Sequence, residues 1–231
     1  MTEESTEVLS PAKVVQLLTD RDRAQPARAF PRDPMAVDVP GMYAWWCDRE
    51  GLAALERAVG SKLSALIYVG QAGADSAVAG RRYRSTLGSR ILSNHLRGNI
   101  RSSTFRKTLA ACLAPELAFE VDGTRLKSES NRRLSDWISE HLSVSIAPIP
   151  DVTVLDEIET TVLRVLDPPL NLNKVPLTEV RRRISALRRS LPVVDVLVSS
   201  IGPRVPLPPI AAKGPGLSGR FSQGSAAKPT P

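Results

Sequence analysis

The sequence predicts an α+β fold, because three short strand-like runs are interspersed with amphipathic helical segments in a chain of 231 residues. The runs are rich in aromatic and β-branched residues and border on turn-forming residues. They read VPGMYAWWCD, SALIYVGQAG and VSIAPIP. We therefore expect a small three-stranded sheet, near residues 40–47, 65–71 and 143–149, flanked by helices within a domain large enough to bury a core.

The first helix is expected at residues 10–20, where Ser10 can cap the N-terminus and Pro11 occupies the first helical position. Six further segments have a helical composition or a helical apolar stripe. They read REGLAALERAVG, GSRILSNHLRGN, SSTFRKTLAACL, SNRRLSDWISEHL, DVTVLDEIETTVLRVLD and TEVRRRISALRRSL. The segment GADSAVAGRRYRS, which follows the second strand, is predicted to be an irregular loop.

Composition divides the chain into four parts. An N-terminal helix and a charged, proline-bearing linker span residues 1–36, the main domain spans residues 37–175, and a basic amphipathic helix with an extension spans residues 176–201. From Gly202 to Pro231, 12 of 30 residues are proline or glycine and every charged residue is basic. That composition predicts a disordered tail at 202–231.

Charge and cysteine content limit the possible functions. The 31 basic and 24 acidic residues leave a net charge of +7, which favours nucleic acid as a partner and an anionic membrane surface second. Cys47 and Cys112 have no metal-ligand spacing, so we expect reduced thiols. The N-terminus lacks a signal-peptide pattern and no apolar run has the length of a membrane span, so we expect a cytoplasmic protein without a membrane partner. The motifs HExxH, GxxxxGK[ST], GxGxxG and GxSxG do not occur.

One carboxylate has an unusual position in the helical segment from Asp151 to Asp167. A rotation of about 100° per residue puts four apolar residues on one stripe. These are Leu155, Ile158, Val162 and Leu166. Glu159 falls inside that stripe, where an unpaired carboxylate costs on the order of several kcal/mol. A metal ion is one candidate partner, and a position at the edge of the stripe, reaching water or an arginine, explains the pattern equally well.

A segment between residues 81 and 107 contains eight Lys or Arg residues and no acidic residue. Seven of them are candidates for contacts with nucleic-acid phosphates. These are Arg81, Arg82, Arg84, Arg97, Arg101, Arg106 and Lys107. For any single one, a solvated surface position is the simpler explanation. His95 shares one side of its short helix with Ile91 and Leu92, a position more typical of a buried structural histidine than of a catalyst.

Six residues, taken in chain order, resemble the motif series of the GIY-YIG nuclease family. They are Tyr43 in Gly41-Met42-Tyr43, Tyr68 in Tyr68-Val69-Gly70, Arg90, His95, Glu159 and Asn171. The match covers roughly residues 38–175. Its most specific part is ETTVLRVLDPPLN, which sets Glu159 twelve residues before Asn171, behind a proline-containing turn. Helical periodicity singles out the same glutamate independently.

The resemblance implies a small antiparallel sheet that carries the two tyrosines on neighbouring strands. It also implies one divalent metal ion, Mg²⁺ or Mn²⁺, anchored by Glu159, with Asn171 as a brace for the site. The activity implied is that of a metal-dependent endonuclease that hydrolyses phosphodiester bonds in nucleic acid, with DNA as the expected substrate.

The resemblance also implies roles for four other side chains. Tyr43 would help to activate the attacking water as a general base and relay its proton to His95. Tyr68 would orient the water or the phosphate, and Arg90 would stabilise the charge that develops on the scissile phosphate. His95 stands five residues after Arg90, where many members have four. On a straight α-helix that spacing separates the two side chains by about 140°, and Asn94 takes the usual position.

Two other functions stay open. A nucleic-acid-binding module without turnover could have the same fold. A protein-interaction element could assemble as a homodimer through the apolar stripe of the helix at 177–191. That stripe contains Val180, Ile184, Leu187 and Leu191. In an endonuclease, the same basic helix would add affinity for the nucleic-acid backbone without sequence preference.

Overall fold

A computed structural model describes residues 9–73, 75–78 and 81–191, with the backbone alone for residues 75–78 and 81–84. The predicted disordered tail at 202–231 lies outside the described residues. Within them, the architecture is α+β, with one four-stranded sheet, two separate two-stranded hairpins and helices on both faces of the larger sheet.

The larger sheet confirms the three predicted strands within about one residue and adds a fourth. Its strands are β1 (Gln25–Pro26), β2 (Gly41–Cys47), β3 (Leu66–Ala72) and β8 (Leu142–Pro148), in the order β1–β8–β2–β3 with every pair antiparallel. The prediction of three strands is therefore one short. The two-residue strand β1 is too short to show an alternating pattern, and its proline is tolerated because β1 lies at a sheet edge.

The hairpins occupy segments in which no strand was predicted. Strands β4 (Asp75–Val78) and β5 (Arg81–Arg84) pair antiparallel, so the prediction of an irregular loop there is wrong. Strands β6 (Val121–Asp122) and β7 (Arg125–Leu126) form the second hairpin. Strands of four and two residues are too short to produce a clear periodic signal.

Six α-helices and one π-helix surround the sheet in the described part of the chain. They are α1 (Pro11–Thr19), α2 (Arg49–Val59), the π-helix (Ser89–Leu96), α3 (Thr104–Leu117), α4 (Ser128–His141), α5 (Leu155–Leu166) and α6 (Glu179–Arg189). The Ser10 side chain accepts a hydrogen bond from the backbone N–H of Lys13, which confirms the predicted N-cap of α1. None of the helices in the described ranges combines the length and apolar character needed to cross a membrane.

Alternation along β2 divides the core into two clusters, one on each face of the sheet. Tyr43 and Trp45 belong to a cluster built with α2, α3 and α4, whereas Met42 and Ala44 belong to a cluster built with α1 and α5. Both faces of β2 are buried, so the sheet is a central layer. Helix α1 packs against α5 and β8. The domain boundaries at residues 36 and 175 stay predictions.

The apolar stripe of α6 faces the interior of its own chain. Ile184 has no exposed surface, and Val180, Leu187 and Leu191 pack against the same core as α3. Helix α6 contacts α3 and α2. Intramolecular packing buries Ile184 and part of the other three residues, which leaves less of the stripe for a second chain, and a homodimer through it stays a prediction.

Candidate active site

Tyr43 and Tyr68 lie on the same face of two neighbouring antiparallel strands. Tyr43 is opposite Gly70 and Trp45 is opposite Tyr68 in the register of β2 and β3. Residues two apart on a strand share a face, so the two phenol rings are diagonal neighbours. A Cβ atom on Gly70 would lie 2.6 Å from Cζ of Tyr43. The glycine after the second tyrosine therefore makes room for the first phenol.

The π-helix brings Arg90 and His95 to the same phenol. Its hydrogen bonds join residues five apart, as in the 2.9 Å bond from the N–H of Arg97 to the carbonyl of Leu92, so a residue and its fifth successor lie on nearly the same side. The Tyr43 hydroxyl is 2.6 Å from Nε2 of His95, and the Arg90 guanidinium lies beside the same hydroxyl. The separation of about 140° between Arg90 and His95 that α-helical geometry predicts therefore does not apply to this segment.

His95 is fully buried and is held at both ring nitrogens. Its Nδ1 is 2.8 Å from Oγ of Ser103, the N-cap of α3. Burial, followed by the charges of Arg90 and Arg106, lowers the pKa of His95 well below its ordinary value, so the ring is neutral at physiological pH. When Nδ1–H donates a hydrogen bond to Ser103 Oγ, Nε2 carries no proton and can accept a hydrogen bond from the Tyr43 hydroxyl.

Burial raises the pKa of both phenols, so both are protonated at neutral pH. At Tyr43, burial and the neighbouring Tyr68 outweigh the opposing charge of Arg90. At Tyr68, burial outweighs the opposing effects of the Thr104 hydroxyl and Arg90. Tyr43 has no exposed surface, whereas Tyr68 is half-buried and lines a cavity. Only the second phenol therefore borders space that a substrate can enter directly.

The cavity, of about 300 Å³, lies beside β3 and has Glu159 of α5 in its wall together with Tyr68. Glu159 Oε2 accepts hydrogen bonds from Nζ of Lys174 at 2.8 Å and from Nε2 of Gln71 at 3.2 Å. The ammonium of Lys174 also pairs with Asp156. The charge of Glu159 contributes to the raised pKa of Tyr68, so the carboxylate lies near the phenol. Glu159, the carboxylate within the apolar stripe of α5, is therefore paired with a lysine.

Asn171 attaches the segment after α5 to the free edge of β3. Its Oδ1 accepts the N–H of Val69 at 2.9 Å, and its Nδ2 donates to the carbonyl of Val69 at 2.8 Å. The N–H of Leu170 also donates to the carbonyl of Ile67 at 2.9 Å. The amide side chain therefore replaces the backbone of a further strand and fixes the part of β3 that carries Tyr68.

Glu159 is the site residue best suited to a divalent cation. Its Oε1 forms no hydrogen bond with the described residues. Among those residues, no group of three or more His, Cys, Asp or Glu side chains is arranged to hold a metal ion. Mg²⁺ commonly binds through one or two carboxylates, with waters and substrate phosphates as further ligands. A single carboxylate with a free oxygen at a cavity wall fits that mode of binding.

Arg106 corrects the prediction of a phosphate contact at that position. It is fully buried, and its guanidinium donates to the carbonyls of His95 and Leu96, to Asn131 and to Ser135. Burial lowers the pKa of Arg106 to about 10. Its donors connect α3 to the π-helix and to α4, so none of this group is available to a ligand.

The other predicted phosphate-binding residues have different positions. Arg97 and Arg101 are exposed, and Lys107 is half-buried. The side chains of Arg81, Arg82 and Arg84 lie outside the described residues. Contacts of these six residues with nucleic acid stay a prediction.

Three further residues at the site were not among the sequence candidates. Nothing in the sequence around Ser103 shows that its hydroxyl reaches His95. Lys174 and Arg188 gave no signal, because one reaches Glu159 from a loop and the other reaches the cavity only through the packing of α6 on α3. Their positions follow from tertiary structure.

The fold and the site define an α+β protein in which two phenols, an imidazole, a guanidinium and a carboxylate meet at one edge of a small antiparallel sheet. Such a set of hydrogen-bond donors, one cation and one acid suits chemistry on phosphate esters.

The chain belongs to the GIY-YIG catalytic domain family, whose model matches residues 41–190. The match confirms the resemblance found in the motifs, and it indicates a nuclease-type function. No curated protein and no solved structure gives a significant match to the chain.

Proposed function

We propose that the protein is a metal-dependent endonuclease that hydrolyses phosphodiester bonds in DNA. The observation that carries the proposal is the 2.6 Å contact between Tyr43 and His95, with Arg90 beside it. Tyr68 and Glu159 line the adjoining cavity. In addition, Nε of Arg90 is buried without a hydrogen-bond partner among the described residues. An unpaired buried donor is costly, and a bound phosphate would relieve that cost.

In the proposed reaction, Tyr43 takes a proton from the attacking water as its own phenolic proton passes to His95 Nε2. The neutral state of His95 supports this direction of transfer, because Nε2 can then accept a proton. The charge of Arg90 favours the transient phenolate. Since Tyr43 has no exposed surface, the attacking water must reach its hydroxyl as the substrate binds.

The remaining side chains act on the phosphate. Tyr68, at the cavity wall, orients the water or a phosphate oxygen, and Arg90 stabilises the charge that develops on the scissile group. Glu159 would hold Mg²⁺ or Mn²⁺, which when bound supplies positive charge to the phosphate and the leaving 3′ oxygen. Lys174 neutralises Glu159 when no metal ion is bound, and Asn171 keeps β3 in register.

A nucleic-acid substrate is supported by charge as well as by the family. The chain carries a net charge of +7, and Arg182, Arg183 and Arg189 of α6 are exposed. Such charges supply affinity for a phosphate backbone without sequence preference. The preference for DNA over RNA and the cytoplasmic location stay predictions, and a panel of labelled duplex, branched and single-stranded DNA and RNA would test the first.

A plasmid-nicking assay with Mg²⁺, Mn²⁺ or EDTA tests the proposal, using Glu159→Gln and the matched variant Glu157→Gln. Both changes remove one carboxylate from α5, but Glu157 is exposed. We expect nicking that needs the metal ion, a fall of about 10²- to 10³-fold for Glu159→Gln, and a rate near that of the wild type for Glu157→Gln. Equal nicking by the two variants would show that Glu159 does not hold the metal.

The ion pair between Glu159 and Lys174 favours one alternative, a nucleic-acid-binding module without turnover, because the carboxylate already has a cation. That alternative predicts that the wild-type protein binds DNA but leaves every substrate of the panel intact in Mg²⁺ and in Mn²⁺. Metal-dependent nicking by the wild type eliminates it.

A further inference from the structure

We propose that a basic groove beside the catalytic cavity binds a second phosphate group of the nucleic-acid strand whose scissile phosphate occupies the cavity, an inference that rests on the proposed function. The groove has a volume of about 620 Å³ and lies between α3, the β6–β7 hairpin and α6. Four cationic side chains line it. They are Arg101, Lys107, Arg188 and Arg189.

The groove is continuous with the cavity through two shared residues. Thr104 at the start of α3 and Arg188 near the end of α6 line both spaces. Arg188 is half-buried, and its charge acts on the phenol of Tyr68. A strand that places one phosphate beside Tyr68 can therefore continue past Thr104 into the groove.

The cations of the groove have no anionic partner among the described residues. None of them forms a salt bridge or a side-chain hydrogen bond there, and none of the described residues that line the groove is a carboxylate. Elsewhere on the surface, Arg57, Lys62 and Arg132 each pair with a carboxylate. Like charges around one concave surface repel one another and raise the local positive potential, so a polyanion is the complementary ligand.

Arg188 lines both the cavity and the groove and is half-buried without an anionic partner among the described residues. Burial lowers the pKa of Arg188, with the neighbouring Tyr68 as the opposing influence. Taking a guanidinium partly out of water without an anion is unfavourable, and a phosphate at this position would offset that cost. Arg188 therefore contributes a phosphate contact that no residue of the GIY-YIG motif series supplies.

The test measures binding of a fluorescein-labelled duplex by anisotropy in EDTA, over about 50 to 200 mM salt, so that cleavage plays no part. The groove variant is Arg101→Gln/Arg189→Gln, and the matched control is Arg28→Gln/Arg49→Gln. All four arginines are exposed and both pairs lose the same charge, but neither control residue lines the groove or the catalytic cavity. Replacing exposed side chains leaves folding intact, which circular dichroism checks.

We expect the groove variant to weaken binding by about tenfold or more and to reduce the salt slope by about one for each phosphate that an arginine no longer neutralises. The control should weaken binding less than about twofold. Equal weakening of the two variants would overturn the inference, since net charge alone would explain it. Inorganic phosphate that competes as well as the duplex at equal phosphate concentration would also overturn it, because the groove would then bind small anions instead of a strand.

Nicking assays with Mg²⁺ on the same variants separate this inference from the proposed function. If the wild type nicks DNA and the groove variant binds like the wild type, the groove assignment is wrong and the endonuclease assignment stands. If the wild type never nicks but the groove variant loses affinity, the groove stands as a binding site and the endonuclease assignment is wrong. If both stand, Arg188→Lys should raise KM more than it lowers kcat, because binding in the groove contributes equally before and during the reaction.

Discussion

Replacing Asn171 by Ala should lower the free energy of unfolding by about 2 to 6 kcal/mol, because it leaves two buried groups without partners. The Asn171 side chain satisfies both the N–H and the carbonyl of Val69, at 2.9 and 2.8 Å, and Val69 has no exposed surface. Each buried polar group that loses its partner costs about 1 to 3 kcal/mol. Asn171 also borders the cavity, from which water can reach part of the vacated space. We therefore expect a value in the lower half of the range.

Urea unfolding followed by tryptophan fluorescence measures this loss, since all three tryptophans are buried and unfolding exposes them. The matched variant is Asn173→Ala, which changes an exposed asparagine of the same segment. The midpoint for Asn171→Ala should fall while the dependence on urea concentration stays unchanged. A difference below about 0.5 kcal/mol between the variants, the size usual for a surface substitution, would refute the assignment of Asn171 as the connection to β3.

Three other changes test the site. Gly70→Ala puts a methyl group against the Tyr43 phenol and should displace it. Because a displacement of about 1 Å costs about 10²-fold in rate, nicking should fall by that factor while the circular dichroism spectrum is retained. An unchanged rate would contradict the need for that glycine. Lys174→Met removes the ammonium that pairs with Glu159. Because such a pair is worth up to about 1 kcal/mol, Mn²⁺ measured by electron paramagnetic resonance should bind up to about fivefold more tightly. Equal affinity would show that the lysine does not compete. The pKa of His95 is lower in the folded protein than in the unfolded chain, where a histidine has a pKa of about 6.5. The neutral ring therefore contributes fully to the free energy of unfolding above that pH. The contribution should decrease as the pH falls below it, by up to about 1.4 kcal/mol per pH unit. Urea curves at pH 7.5 and 5.5 should therefore differ less for His95→Gln than for the wild type, and equal pH dependence would contradict the burial of a neutral ring.

Local patterns were sufficient to predict the three long strands, the cap of α1 and the apolar stripe of α5. Each depends on a few consecutive residues, and tertiary packing here reinforces the local preference. The unusual position of the Glu159 carboxylate could be predicted for the same reason, since helical periodicity needs no knowledge of the rest of the fold. Its partner could not be predicted, because Lys174 approaches from a loop fifteen residues later along the chain.

The relation between Arg90 and His95 could not be predicted from α-helical geometry. Five residues correspond to one turn of hydrogen bonding in a π-helix, and such turns are rare and concentrated at functional sites. The contact of His95 with Tyr43 on one side and Ser103 on the other accompanies this conformation. A periodicity that assumes 3.6 residues per turn assigns the histidine to the wrong side.

Buried arginines are the other class of residue that sequence patterns misplace, since arginine is rarely buried unless it is paired. Arg106 and Arg181 are both buried, and each directs its guanidinium at backbone carbonyls. The five donors of the planar group can satisfy several carbonyls at once, which offsets part of the cost of burial. Counting both residues as surface charge overestimates the basic area offered to nucleic acid.

Helix α6 is part of the active-site structure as well as a carrier of basic residues. Asp167, in the left-handed conformation, ends α5. Arg181 of α6 donates to the Asp167 carboxylate at 2.7 Å, to the carbonyl of Pro168 at 3.0 Å and to the carbonyl of Asn171 at 2.9 Å. The same segment therefore receives one set of bonds from α6 and, through the Asn171 amide, supplies another to β3. Because Arg188 on the same helix lines the cavity, displacement of α6 would disturb both the strand that carries the second phenol and the wall against which the substrate lies.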